Sequence, residues 1–239
     1  MNAQKITHLN TLLNTFAKSA NSTKIKRCSK SSDNKTKSIP VSAEYRIAHY
    51  ADESDFTVDN RGYITSYNGL ASEIIVPDTI NGEVVRGIAT KGLYDDFDEE
   101  YYIENEEEYS LDGHLTSVVL PDTVVEIEKQ GLNNSVLKYL TAKGLKTIGE
   151  SGLEAPLIYL DSPNIEQIGD KGLAFTCLSE IDFSNLTSAG WGAFTTNNYL
   201  VSVNLPKLKT ATDSIFYDCE RLTKVNLESA ETLETELSG

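Results

Sequence analysis

Cysteine is nearly missing from this chain, with only Cys28, Cys177 and Cys219 in 239 residues. So few cannot staple a disulfide framework, and the fold must rest on buried apolar surface. Histidine is equally scarce, and His8, His49 and His114 lie too far apart for recognisable zinc-ligand spacing. No stretch approaches the roughly 18 apolar residues of a membrane-spanning helix, so none is expected. No glycine loop follows a strand and opens a helix to cradle phosphate. Carboxylates abound, but in an acidic chain their presence points only weakly to acid–base catalysis. No catalytic residue, metal ligand or cofactor is assigned.

Positive charge is short where the chain is longest. Residues 1–40 hold eight Lys or Arg against one acid, Asp33, whereas the remainder holds 13 against 35, a net of −22. Phosphate contacts need clustered Lys and Arg, so such a body argues against nucleic acid or an anionic membrane as its main partner.

What the chain has instead is one phrase written six times. Its first half reads Leu-x-x-apolar-x-apolar: Leu115-Val118-Leu120, Leu137-Leu140-Ala142, Leu157-Leu160, Leu178-Ile181-Phe183, Leu200-Val203-Leu205 and Leu222-Val225-Leu227. The leading leucines fall 22, 20, 21, 22 and 22 residues apart. In the second half, Ile127, Ile148, Ile168, Ala189 and Ala211 each precede by five a large plug: Leu132, Leu153, Leu173, Phe194 and Phe216. A shorter copy begins at Ile74, and Phe56–Val58 and Tyr63–Thr65 flank a turn tetrad that reads as a hairpin. Alternation in the first half is strand periodicity. About six apolar side chains per repeat, at roughly 1.5–3 kcal/mol each, do not offset an ordering cost near 1.5 kcal/mol per residue. One repeat alone is unstable, and only a stack buries each apolar face twice. Gly149, Gly169 and Gly190 after the second apolar position, and Gly131, Gly152 and Gly172 before the plug, are read as supplying special backbone angles. Cys177 and Cys219 end repeats two rungs apart, near 10 Å, beyond the roughly 7 Å limit for a bridge, and read as buried plugs.

The segments Leu178 to Phe194, ending Ala189-Gly190-Trp191-Gly192-Ala193-Phe194, and Leu115 to Ile127 carry a resemblance to the BspA-like leucine-rich repeat proteins. The leader from Gly62 to Gly82 resembles that family's opening. The resemblance covers about residues 52–233. It implies a right-handed leucine-rich repeat solenoid of the α/β horseshoe type, with mostly short parallel strands, turns and short helical segments, and an N-terminal hairpin cap. It further implies a non-enzymatic protein-binding or adhesion module, usually at a bacterial or protozoan surface. Leucine at the plug in three repeats, and Ala189 and Ala211 at the isoleucine site, depart from the family phrase.

Two segments stand apart from the array. Residues 1–44 form a basic tail in which Ile6, Leu9, Leu12, Leu13 and Phe16 make one apolar stripe on a helix expected over 3–18. Three readings of it stay open: a frayed helix with a flexible linker, a docking anchor through that stripe, and a transit peptide. As a secretory signal it is poor, because Asn10, Thr11, Asn14 and Thr15 interrupt the apolar run. Within the solenoid assigned to 45–239, residues 95–114 are an insertion with ten acids and no Lys or Arg. Asp96, Asp98, Glu100, Glu104 and Glu107 imitate a calcium loop, but Tyr101 stands where its sharp turn needs glycine, so a solvated acidic loop is expected.

Alternation sets Leu140, Leu160, Ile181 and Val203 inward. It sets Ser117, Tyr139, Tyr159, Glu180, Ser202 and Lys224 outward in one rank, with Val119, Thr141, Asp161, Asp182, Asn204 and Asn226 beside it. The candidate binding face is Tyr139 and Tyr159 next to Asp161, Glu180 and Asp182, since aromatic anchors beside charges typify interfaces. A protein partner is expected, as is self-association or membership of a larger assembly. The alternative to a binding module is a structural component of a virion or surface layer held by the tail. Compartment stays open between surface, virion and cytoplasm.

Overall fold

The computed structural model describes residues 49–95, 114–212 and 214–234. The stripe Ile6, Leu9, Leu12, Leu13 and Phe16 lies outside them, as does nearly all of the acidic insertion. Each repeat lays down two short strands that stack in parallel on the repeats before and after. Helix is confined, among the described residues, to one 3-10 turn at Glu53–Asp55. The expected short helical segments are otherwise replaced by turns and by a second strand.

The front ladder comprises His49–Tyr50, Glu73–Ile75, Ser117–Val119, Tyr139–Thr141 and Tyr159–Asp161, then, as a separate sheet, Glu180–Asp182, Ser202–Asn204 and Lys224–Asn226. The back ladder runs from Gly87–Ile88 through Glu126–Ile127, Thr147–Ile148 and Gln167–Ile168 to Ser188–Ala189. Its other end pairs with the antiparallel hairpin Phe56–Val58 and Tyr63–Tyr67. Between the ladders runs one continuous apolar core, with Ile74, Val118 and Leu140 from the front, Ile88, Ile127 and Ile148 from the back, and the plugs Leu132, Leu153, Leu173 and Phe194.

The hairpin is stitched to the back ladder by charge. Arg61 donates to Asp59 at 2.8 Å and to Glu128 at 2.7 Å, and the Tyr63 hydroxyl donates to Glu126 at 2.7 Å. That bond raises the Tyr63 phenol to about 12, while the Arg61 guanidinium holds Glu128 below the usual carboxylate range.

The glycines work differently from expectation. The left-handed angle falls on the residue before Gly92, Gly131, Gly152 and Gly172, namely Lys91, Gln130, Ser151 and Lys171, with φ between 48° and 57°. Gly149, Gly169 and Gly190 are needed for close approach instead. A Cβ on Gly169 would lie 2.8 Å from Glu150 N and from Gly149 C, which are backbone atoms of the coil beneath. Gly169→Ala is therefore expected to lower stability by about 1–3 kcal/mol through overpacking, read as a lower urea midpoint. An unchanged midpoint would mean the coils have room that this packing denies.

The cysteines divide. Cys219 is a free buried plug whose thiol donates to Phe194 O at 3.1 Å. Cys177, contrary to expectation, is partly exposed and disulfide-bonded. Burial pushes the Cys219 thiol up to about 12. Because its folded value exceeds its unfolded one, the stability tied to it is complete below about pH 9 and is lost as pH rises towards 12. At pH 8 a thiol reagent should leave Cys219 unlabelled until the chain is unfolded in urea. Rapid labelling of the native protein would contradict this burial.

Candidate binding face

The front strands carry the candidate residues, and register decides which of them meet. Tyr139 pairs directly with Tyr159, and Thr141 with Asp161, so the two tyrosines stand side by side on the outward rank. Parallel strands lie about 4.8 Å apart, which makes the rings one aromatic step. Both are half-buried at the edge of solvent. Glu180 and Asp182 pair with Ser202 and Asn204 on the far side of a break, and both are exposed. Asn204 donates to Asp182 at 2.8 Å and Asn226 donates to Asn204 at 2.8 Å, an amide ladder along the second rank. Lys143 lies 3.9 Å from Asp161. Ser117 keeps its place on the outward rank but is buried there, its short side chain flanked in register by the longer Glu73 and Tyr139.

The break itself was not expected. At the five front junctions from Glu73 to Asn226 that are paired, two flanking hydrogen bonds recur. Before the strands, an amide reaches back to the previous coil, as in Tyr159 N to Lys138 O and Ser202 N to Ser179 O. After them, an amide reaches forward, as in Ala142 N to Asp161 O and Phe183 N to Asn204 O. Between Tyr159–Asp161 and Glu180–Asp182 neither counterpart forms among the described residues, and just before the strands Cys177 N donates to Leu157 O at 2.8 Å instead. The back strands of these two coils remain paired, Gln167 with Ser188 and Ile168 with Ala189. The coils are therefore joined behind and parted in front.

Two local changes accompany the split. The chain enters Tyr159–Asp161 through Ala155-Pro156, six residues after the plug Leu153, but enters Glu180–Asp182 through a turn one residue longer. In that longer turn Phe175 is left-handed at φ 60° and Thr176 N is held by the Asn197 side chain of the following coil at 2.7 Å. Thr196 and Asp218 repeat this left-handed position in the later coils. The core also widens, with Phe183 following the small Ser162 in its column and phenylalanine plugs replacing leucine. Phe194 and Phe216 stack at 5.6 Å, with Phe183 6.4 Å from Phe194.

The parted coils leave a crevice of about 280 Å³ whose floor is Leu160, Leu178, Ile181 and Phe183 and whose rim carries Asp161, Glu180 and Asp182. Leu160 is consequently only partly buried, whereas Leu140, Ile181 and Val203 are 0%, 4% and 3% exposed. Expectation was right for three of the four and wrong for Leu160. The signal that could have found the site was the change of turn from Ala155-Pro156 to Phe175-Thr176-Cys177.

Elsewhere, His114 Nδ1 and Asp95 Oδ2 meet at 2.6 Å, which brings together the two ends of the acidic insertion. Among the described residues no group of three His, Cys, Asp or Glu could hold a metal ion. No helix there is long and apolar enough to cross a membrane.

Stacked coils with parallel ladders around a leucine and isoleucine core define a leucine-rich repeat solenoid. Residues 152–237 match the family described as BspA type Leucine rich repeat region, in six copies. No curated protein sequence matches the chain. The crystal structure of a T. pallidum Leucine Rich Repeat protein is similar at a TM-score of 0.61 and 21% identity, over 78% of this chain and 85% of that one. A leucine-rich repeat protein from Bacteroides ovatus is similar at 0.50 and 18% identity, over 76% of this chain and 53% of that one. Leucine-rich repeat proteins are typically non-enzymatic scaffolds that bind proteins.

Proposed function

We propose that this chain is a non-enzymatic protein-binding module whose ligand docks on the front face at Tyr139, Tyr159, Asp161, Glu180 and Asp182. The observation that carries this reading is the in-register tyrosine pair beside an apolar crevice rimmed by three carboxylates. Rigid aromatic side chains supply contact area at low entropic cost, and interface energy concentrates in such anchors. The strands beneath them are fixed by the core, so the face is preorganised and little ordering cost attends docking. The alternative, a structural component held in a larger assembly, rests on residues 1–44, which lie outside the described residues.

A random-peptide library selected on the full chain tests the reading. Peptides enriched on the chain should bind Tyr139→Ala/Tyr159→Ala at least about thirtyfold more weakly, the size of one interface hot spot. A Lys224→Ala control on the same rank should bind unchanged. Enriched peptides indifferent to both tyrosines would show that another surface does the binding.

A further inference from the structure

We infer that the crevice between Tyr159–Asp161 and Glu180–Asp182 is a socket for one arginine side chain of the partner polypeptide. This deepens the reading above and rests on it. The socket has two chemically distinct parts. Its floor of Leu160, Leu178, Ile181 and Phe183 is apolar and suits an aliphatic stem. Its rim holds the side chains of Asp161, Glu180 and Asp182.

Among the described residues, little neutralises that rim. Lys143 stands 3.9 Å from Asp161, the amide of Asn204 serves Asp182, and Glu180 has no side-chain partner among the described residues. The parted strands add backbone acceptors. The carbonyls of Ile158 and Asp182 would receive the flanking bonds that recur at the five paired junctions, and among the described residues those bonds do not form here. A ligand that fills this space must therefore be narrow, apolar along its length and rich in donors at its tip. Arginine meets all three requirements. Its guanidinium is planar, carries five donors in a fixed fork, and is more weakly hydrated than an ammonium, so it enters a half-buried site at lower cost than lysine. A whole strand does not fit, because the back ladder keeps the two coils paired at Gln167–Ser188 and Ile168–Ala189. Insertion of a single side chain leaves that pairing intact.

The test uses blocked pentapeptides with a central arginine flanked by valines and serines, acetyl-Ser-Val-Arg-Val-Ser-amide, together with its lysine and citrulline counterparts. Citrulline keeps the shape of arginine and removes the charge. Each is titrated into methyl-labelled full chain and followed by NMR. The arginine peptide should shift the Leu160 and Ile181 methyl resonances saturably, the lysine peptide should need about tenfold more, and the citrulline peptide should leave them unmoved. Asp161→Asn with Asp182→Asn, which keeps side-chain volume, should weaken the arginine peptide by at least about tenfold. Equal shifts with citrulline, indifference to the two Asn substitutions, or shifts that avoid Leu160 and Ile181 would overturn the socket. Flat titrations with all three peptides, while library-selected binders still depend on Tyr139 and Tyr159, would overturn the arginine assignment and leave the binding module standing. Loss of that tyrosine dependence would remove the reading beneath it.

Discussion

Phe194→Ala is expected to lower folding stability by about 3–5 kcal/mol, the range for deleting a fully buried aromatic ring. Phe194 is fully buried and stands at the centre of the widened part of the core. It stacks on Phe216 at 5.6 Å with planes 14° apart, lies 6.4 Å from Phe183, and its carbonyl receives the Cys219 thiol. No neighbour can collapse into the gap without dragging a coil, because each coil's backbone is bonded to the next. In a stack, moreover, stability is a sum of repeat and interface contributions. The cavity therefore weakens both the Phe183 and the Phe216 interfaces, and the last coils should unfold ahead of the rest. Urea unfolding should then show a lower midpoint and a shallower or biphasic transition. A loss below about 1 kcal/mol, with unchanged cooperativity, would mean this plug is dispensable and the aromatic core only fills space.

Most of the fold could be read before any coordinates because it depends on local and periodic properties. Alternation in Leu137-Lys138-Tyr139-Leu140 needs only the pleat of a strand to decide which side chains face inward. The spacing of the leucines needs only a stack to make sense. What escaped reading depended on relations between coils. Whether Ser117 is exposed turns on the lengths of Glu73 and Tyr139, which lie far from it in sequence. Whether Gly169 is needed for its angles or for its missing Cβ turns on the distance to Glu150 and Gly149. Register placed Tyr139 on Tyr159 as expected, since consecutive coils of similar length stack residue on residue. The expected continuation from Asp161 to Asp182 failed where the turn changes from Ala155-Pro156 to Phe175-Thr176-Cys177 and the core widens. Local pattern thus gave the rim residues, while the crevice they border came from a mismatch between neighbouring repeats.

That mismatch makes a sharp comparison between two leucines that the repeat treats as equivalent. Leu140 and Leu160 occupy the same inward position on adjacent paired strands. Leu140 is fully buried, so Leu140→Ala should cost about 2–5 kcal/mol through lost transfer energy plus a cavity. Leu160 borders the crevice and is only partly buried. Water can follow the truncated side chain into that space, so no closed cavity forms, and the loss should fall to about 1–2 kcal/mol, mainly the transfer part. Both variants keep the same secondary structure and charge, which removes other causes of a difference. The measurement is the urea midpoint and slope of each variant beside the parent chain. Equal costs for the two would show that the front ladder is closed in solution between Asp161 and Glu180. In that case the floor of the socket would be ordinary core, and a guanidinium would have nowhere to enter.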